Sequence, residues 1–295
     1  MDSKFIKTGV CSIVLGNYHY SDYINHIPNK MLKITKIMKC HNEFKNLGLI
    51  RRIPNYSNYY TLPDEEQYVL KPEDNFYKFL KILVQDEKMK IFNGNLIYNY
   101  VDYAGNKELL DTFIDLIDLK DNKFWSSYKK IIEFSKLIME GLNYLHQNKI
   151  CHLDIKPENI MVNTYIRKFK IIDFGFSSVE PFHDYIENIR GTPGYFPKIY
   201  KNEKPNDWLP KIKANDFTIQ PIPHKIDRTL VYKIDSYCLG RVLYFLKTIY
   251  QNNLSLNCFN FERNRKNKIE NIINSLIEND VYKRLTIGQC LKLYF

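Results

Sequence analysis

The sequence contains no uninterrupted apolar run of membrane-spanning length, and its first segment lacks the apolar core of a signal peptide. Its six cysteines are scattered without a C-x-x-C pair, which argues against a zinc site and a disulfide framework. No internal repeat, long linker or low-complexity tract stands out. We therefore expect a protein without a membrane segment, with free thiols, in the reducing environment of the cytoplasm.

Acidic residues are too few to balance the basic ones: 33 Asp and Glu stand against 43 Lys and Arg, and the formal net charge is +10. Such a charge could attract an acidic partner or a nucleic acid over a long range. However, asparagine, isoleucine, lysine and tyrosine are all abundant, as an AT-rich genome would produce. This composition explains the excess of lysine without a nucleic-acid-binding function and favours that simpler explanation.

The length of 295 residues suits one large domain or two closely associated lobes with a substantial core. The first part of the chain, to about residue 40, is rich in β-branched and aromatic residues and predicts strands, with a break at Gly16-Asn17. A short helical pattern starts at Glu43. A longer helix is predicted from a cap at Ser126 or Ser127 to about Asn148.

The stretch from 151 to 175 carries the clearest chemistry. It begins C-H-L-D-I-K-P-E-N-I-M-V and ends, after a polar gap, in K-I-I-D-F-G. Phosphoryl transfer needs an acid for the hydroxyl proton, a lysine for the phosphoryl charge, and further oxygen ligands for Mg²⁺. Asp154, Lys156, Asn159 and Asp173 are residues of these types. Polar residues in a turn between strands are the other explanation, but two such motifs rarely occur together by chance.

These two motifs resemble the catalytic loop and the D-F-G motif of eukaryotic-type serine/threonine protein kinases, with Leu153 where most members carry arginine. The resemblance implies an α+β, bilobal protein-kinase-like fold. A small β-rich lobe and the hinge would occupy 1–104, and a larger helical lobe would occupy 105–295, with an insert near 200–230.

The resemblance also implies the roles of the residues in these motifs. Asp154 and Lys156 would be catalytic, and Asn159 and Asp173 would bind ATP and its Mg²⁺. Further ATP-binding positions are implied in the first part of the chain: Gly9, Val14, Lys33, Glu43, Asp102, Ala104 and Glu108.

These further positions have different roles in the resemblance. Gly9 and Val14 are what remains of a glycine-rich phosphate loop, although a plain hairpin would explain that segment equally well. Lys33 would contact the α- and β-phosphates and pair with Glu43, the only acidic residue between 24 and 63. An exposed basic strand edge is the alternative for the lysines around position 33. Asp102 and Ala104 would offer backbone groups to adenine, and Glu108 would face the ribose.

The segment G-T-P-G-Y-F-P, from Gly191 to Pro197, resembles the end of a kinase activation segment, but the usual acid is replaced by Ile199. Arg284 matches the arginine that normally pairs with that acid. Because a buried, unpaired guanidinium is costly, we expect that Glu203 or Asp207 substitutes, or that Arg284 is more exposed than usual.

A later segment resembles the start of the central helix of the large lobe. Its acid, Asp235, would accept hydrogen bonds from the backbone of the catalytic loop. Lys156 and Thr192 match kinases that act on serine or threonine rather than tyrosine.

The resemblance therefore implies a kinase that uses ATP and Mg²⁺ and has protein substrates. The composition and the eroded glycine loop look like kinases of large cytoplasmic DNA viruses, which implies action in the host-cell cytoplasm, with a place in the virion also open. Two alternatives remain: a pseudokinase that acts as a scaffold, and a kinase of the same fold that acts on a small molecule.

Overall fold

The computed structural model describes residues 2–8, 12–18, 30–36, 42–62, 68–71, 73, 96–102, 104–118, 124–182, 191–192, 194–197, 228–253 and 262–295. Contacts divide the chain into two compact units. One consists of Met1–Leu47 and Thr61–Ala104, and the other of Gly48–Tyr60 and Gly105–Phe295. The combination of helices with small antiparallel sheets makes the architecture α+β, as the sequence predicts.

The first unit contains a five-stranded antiparallel sheet with the strand order β1-β2-β3-β5-β4. Its strands are β1 (Asp2–Thr8), β2 (Ser12–Tyr18), β3 (Lys30–Lys36), β4 (Tyr68–Leu70) and β5 (Leu96–Asp102). Lys33 lies at the middle of β3, where its backbone pairs with Val14 of β2 on one side and Asn99 of β5 on the other.

The predicted strand break at Gly16-Asn17 is wrong. Both residues lie inside β2, and Gly16 pairs with Lys4 of β1 and with Met31 of β3. Because β2 has a partner strand on both sides, pairing across the sheet outweighs the local turn preference of the Gly-Asn sequence. Instead, β1 ends at Thr8 and β2 begins at Ser12.

The helix predicted at Glu43 is confirmed as α1 (Asn42–Arg51), with Leu47 and Ile50 buried. The segment that follows belongs to the second unit. There, Ile171 N–H donates to the carbonyl of Tyr59 at 2.8 Å, and the buried Tyr60 donates its hydroxyl to the carbonyl of Gly141. Residues 48–60 are thus the part of the range 1–104 that packs with the second unit rather than the first.

The second unit is mainly helical. Its helices are α2 (Leu109–Ile117), α3 (Tyr128–Gln147), α4 (Tyr232–Asn252), α5 (Arg263–Leu276) and α6 (Ile287–Tyr294). Its short strands are β6 (Lys107–Glu108), β7 (Ile150–Cys151), β8 (Ile160–Asn163), β9 (Lys168–Ile171) and β10 (Ser178–Val179). β6, β8 and β9 form one sheet, and β7 pairs with β10.

The long helix predicted before the catalytic loop is confirmed as α3. Its N-cap is Ser127, whose side chain accepts a hydrogen bond from the backbone of Lys130 at 3.4 Å. The predicted apolar face is buried: Ile131, Phe134, Ser135, Ile138, Leu142 and Leu145. Each large apolar side chain on this face contributes about 1.5–3 kcal/mol through burial. The helix therefore anchors the loop that starts after β7.

Helix α4 forms the centre of the second unit, with a run of buried residues from Ile234 to Gly240. The end of α5 packs closely against Gly240. A Cβ at this position would lie 2.6 Å from Cγ2 of Ile277 and 2.8 Å from Cβ of Leu276, so that only glycine fits. This packing fixes the start of α4, where Asp235 lies. No helix in the described parts of the chain combines the length and the apolar character needed to cross a membrane.

Candidate active site

The loop between β7 and β8 carries the central acid of the site. Asp154 and Asn159 are both only 5% exposed. The loop ends in a single 3₁₀ turn, Pro157–Asn159, in which the backbone N–H of Asn159 donates to the carbonyl of Lys156 at 3.0 Å. The amide nitrogen of Asn159 donates to the Asp154 carbonyl at 2.8 Å and to its Oδ2 at 2.9 Å. Asn159 thus fixes both the backbone and the side chain of Asp154.

Lys156 and Thr192 complete a triangle with Asp154. Lys156 Nζ lies 2.9 Å from Asp154 Oδ2 and donates to Thr192 Oγ1 at 2.8 Å. Thr192 in turn donates its hydroxyl to Asp154 Oδ1 at 2.5 Å. The Thr192 hydroxyl therefore bridges the acid and the lysine. The site is a connected set of one carboxylate, one amide, one ammonium and one hydroxyl.

Asp235, near the start of α4, stabilises this loop by accepting hydrogen bonds from its backbone, as the sequence predicts. It is completely buried, and it accepts backbone N–H groups from Leu153 at 2.7 Å and His152 at 2.8 Å. His146 Nε2 lies 2.9 Å from Asp235 Oδ2. Burial alone would oppose ionisation, but the hydrogen bond and electrostatic attraction of His146, with the backbone hydrogen bond from His152, outweigh it and hold the pKa of Asp235 below its ordinary value.

The backbone that Asp235 holds is strained. Leu153 is fully buried and has φ of 68°, in the left-handed region that a branched side chain rarely adopts. This conformation costs about 1–2 kcal/mol. The two N–H groups donated to Asp235 offset the strain, and the resulting turn places Asp154 in its hydrogen-bonded position.

His152 connects the loop to the segment that carries Asp173. Its Nε2 lies 3.1 Å from the carbonyl of Ile172, which can only accept, while Asp154 N–H donates to its Nδ1 at 3.3 Å. Both contacts are satisfied by the neutral tautomer with the proton on Nε2. The buried Phe174 ring packs on His152 with centroids 4.9 Å apart and meets Tyr60 edge-on at 5.8 Å.

Asp173 itself is exposed and also has a positive φ, of 62°. Its Oδ1 accepts the backbone N–H of Gly175 at 3.2 Å. Its carboxylate and the amide oxygen of Asn159, whose nitrogen is already committed to Asp154, are oxygen ligands of the kind that Mg²⁺ prefers. The donor set therefore fits a magnesium ion.

Glu108 and Ala104 lie where the two units join in sequence. Glu108 is the N-cap of α2, and its backbone N–H donates to Asp111 Oδ2 at 3.0 Å. The neighbouring Gly105 is required by close packing, since a Cβ there would lie 2.4 Å from the carbonyl oxygen of Val162. The contacts assigned to Glu108 and Ala104 with ribose and adenine stay predictions.

The other predicted nucleotide positions fall partly outside the described structure. Gly9 lies outside the described residues, as does most of the insert predicted near 200–230. The backbones of four positions are placed in β2, β3, α1 and β5, while their side chains lie outside the described part: Val14, Lys33, Glu43 and Asp102. Their roles in binding ATP stay predictions.

Of the two alternatives for Arg284, greater exposure is wrong, and a substituting acid at Glu203 or Asp207 stays a prediction because both lie outside the described residues. The Arg284 side chain is 2% exposed and donates to the carbonyls of Glu278 at 2.9 Å and Lys233 at 3.3 Å. Its guanidinium also lies 4.8 Å from the centroid of the Tyr237 ring. Burial lowers the pKa of Arg284 to about 10, so it remains charged at neutral pH. Among the described residues, carbonyl and aromatic groups thus solvate the charge of the Arg284 guanidinium.

Two histidines of the site were missed by sequence reasoning. His146 is at the end of a helix whose spacing indicated only core packing, so that nothing local marked it as a partner of Asp235. His152 stands inside the catalytic-loop motif, two residues before Asp154, and this position was the available signal.

Comparison with known proteins gives a family match over part of the chain. The profile described as "Protein kinase domain" matches residues 75–206. A segment is 29% identical over 120 residues, 39% of this chain, to "Probable serine/threonine-protein kinase HSL1" of Saccharomyces cerevisiae, and covers 7% of that protein. Human "Death-associated protein kinase 2" is 40% identical over 96 residues, 31% of this chain and 25% of its own length.

Human "Myosin light chain kinase 3" is 36% identical over 105 residues, 35% of this chain and 12% of its own length. The matched segments thus span a quarter or less of these relatives. Together with the profile, they show that this part of the chain is similar to protein kinase domains.

Proposed function

We propose that this protein is a protein kinase that transfers the γ-phosphoryl group of ATP to serine or threonine hydroxyls of proteins. The observation that carries the proposal is the hydrogen-bonded cluster of Asp154, Lys156, Asn159 and Thr192. The match to the protein kinase domain over residues 75–206 supports it. The proposal includes the bilobal fold of the family, with a smaller lobe of residues 1–104 and a larger lobe of residues 105–295.

In the proposed reaction, the substrate hydroxyl oxygen forms a bond to the γ-phosphorus, the bond to the bridging oxygen of ADP breaks, and Asp154 takes the hydroxyl proton. Asp154 suits this role because Asn159 and Thr192 hold its two carboxylate oxygens in place. Lys156, 2.9 Å from the same carboxylate, would offset the negative charge of the transferring group.

Asp173 and the amide oxygen of Asn159 would hold Mg²⁺, which when bound neutralises phosphate charge and orients the ATP. The remaining ATP contacts are proposed for the first part of the chain. Gly9 and Val14 would cover the phosphates, Lys33 with Glu43 would position them, and Asp102 and Ala104 would bind adenine. Glu108, which forms a capping box with Asp111 at the start of α2, would reach the ribose.

The contacts of Lys156 and Thr192 support serine or threonine as the acceptor, since this pair follows the pattern of that class of kinase. A viral origin is proposed from the composition and the eroded glycine-rich loop, and with it action in the host-cell cytoplasm. A pseudokinase scaffold is the second candidate, because the glycine-rich loop retains only Gly9 and Val14. The intact geometry around Asp154 favours an active enzyme over a scaffold.

The test is transfer of radiolabelled γ-phosphate from Mg·ATP to casein, with the Asp154→Asn variant as the matched control. A kinase labels casein, and the variant does not. A scaffold labels nothing in either form. A kinase of small molecules consumes ATP only when a metabolite extract is added and leaves casein unlabelled, so that the three candidate functions give three different results.

Replacing Lys33 with methionine is expected to lower the labelling rate by about 10²–10³-fold, since an ATP held without its lysine is badly oriented for transfer. Lys36→Met is the matched control, because Lys36 ends the same strand three positions later and has no predicted role. Glu43→Gln should lower the rate less. If Lys36→Met is inactive and Lys33→Met is active, the strand register of the ATP-binding lysine has been assigned wrongly.

Phosphorylation of the activation segment is expected to be unnecessary for activity. Many kinases use an arginine at the position of Leu153 to bind a phosphate on that segment, but Leu153 is fully buried and uncharged. A phosphate on Thr192 would displace its bridge to Asp154 and Lys156. Enzyme treated with phosphatase should therefore start at its full rate once the phosphatase is removed. A progress curve that starts near zero and accelerates with self-labelling would contradict this expectation.

A further inference from the structure

A basic cleft lies between α3 and α5, away from the residues of the catalytic cluster. It has a volume of about 350 Å³ and is lined by Lys129, Ile132, Glu133, Lys136, Arg265, Lys268 and Phe295. The α3 residues recur at the spacing of one helix face, and Arg265 and Lys268 lie one turn apart on α5. The two helices thus place their cationic side chains around the same cleft.

The lining carries four cationic side chains and one carboxylate, that of Glu133. Two of the ion pairs formed by these cations are loose, since Lys129 lies 3.8 Å from Glu133 and Lys136 lies 3.9 Å from Glu140, whereas Arg265 donates a hydrogen bond to Glu262 at 3.3 Å. Lys129 and Glu133 are 64% and 55% exposed, so water screens the pair strongly. An anionic ligand could therefore replace these contacts with little loss.

The cleft also has an apolar part. Ile132 lines it, and the ring of Phe295, 40% exposed, lies below two of the cations. Lys268 Nζ is 4.6 Å and Lys136 Nζ is 5.9 Å from the centroid of that ring. These contacts hold the ammonium groups over an apolar surface and orient them towards the cleft.

We propose that this cleft binds an acidic peptide segment of a partner protein, with carboxylates on the four cations and an apolar side chain against Ile132 and Phe295. Charge complementarity selects the acidic partner. A peptide fits better than a nucleic acid, because an apolar side chain of a peptide can contact Ile132 and Phe295 while a continuous phosphate backbone cannot. This site is separate from the proposed catalytic function and does not depend on it.

The experiment measures fluorescence anisotropy of the full chain with a fluorescein-labelled peptide of glutamates around a central leucine. The same peptide with glutamines, the same peptide with serine for leucine, and labelled oligothymidylate are the comparison probes. The test variant is Lys136→Glu with Lys268→Glu. Its matched control is Lys283→Glu with Lys292→Glu, which changes the net charge equally at exposed positions outside the cleft.

We expect the glutamate peptide to bind at least about tenfold more tightly than the glutamine peptide, and its affinity to fall with added salt. The cleft variant should lose at least about tenfold in affinity and the control variant little. Serine in place of leucine, or Phe295→Ala, should weaken binding less. Equal loss in both double variants would overturn the assignment to the cleft, and tighter binding of oligothymidylate than of the peptide would overturn the peptide as its ligand.

Discussion

Replacement of Asp173 by asparagine is expected to lower phosphoryl transfer by at least about 10³-fold without unfolding the protein. The change removes one negative charge from the proposed magnesium site and leaves the size of the side chain unchanged. The fold should survive, since Asp173 is exposed and its one described hydrogen bond, from Gly175 N–H to Oδ1, can also be accepted by asparagine. Asparagine also tolerates the positive φ of 62° at this position.

Asp280 provides a matched control. It is exposed, and its Oδ1 accepts the backbone N–H of a residue two positions later, Tyr282, at 3.0 Å. Asp280→Asn makes the same chemical change in the same kind of turn and should keep the full labelling rate. The experiment compares the initial labelling rates of the two variants at saturating ATP, and thermal unfolding curves show whether both are folded. Normal turnover in Asp173→Asn would exclude Asp173 as a ligand of the catalytic metal.

The helical part of the fold could be predicted well because its signals are local. The Ser127 cap and the regular apolar face of α3 specify where that helix starts and what it buries. The prediction of a strand break at Gly16-Asn17 was wrong for the opposite reason, since the strand there is stabilised by pairing with strands whose residues are distant in sequence. Sheet pairing depends on which strands meet, and a local turn preference contains no information about that.

The candidate site shows the same contrast. Asp154, Lys156, Asn159 and Asp173 were found because their motifs place them close together in the chain. Greater exposure of Arg284, one of two alternatives, is wrong because groups other than carboxylates can solvate a guanidinium. One of its partners, Glu278, lies six residues away in the chain, and the others, Lys233 and Tyr237, both lie on α4. Two carbonyls and an aromatic ring can hold a buried guanidinium, and no motif encodes such a set.

The role of Asp235 leads to the second large effect. Asp235→Ala removes the acceptor of two backbone N–H groups and the partner of His146 in a fully buried position. Losing one partner of a buried charged network costs about 3–5 kcal/mol. The melting temperature should then fall by about 6–20 °C. Activity should also fall at temperatures where the variant is folded, because the strained backbone at Leu153 loses its support.

Asp235→Asn removes the negative charge of the side chain and keeps its shape, so that this variant tests the charge alone. The pKa of Asp235 is lowered in the folded protein, so the ionised carboxylate stabilises the fold above its unfolded pKa and loses that effect as the pH falls through its folded pKa. The difference in unfolding free energy between wild type and Asp235→Asn should therefore be constant from about pH 7 to 5 and shrink below about pH 4. Urea unfolding across this range measures it. A difference that does not shrink below about pH 4 would show that the charge of Asp235 does not stabilise the loop.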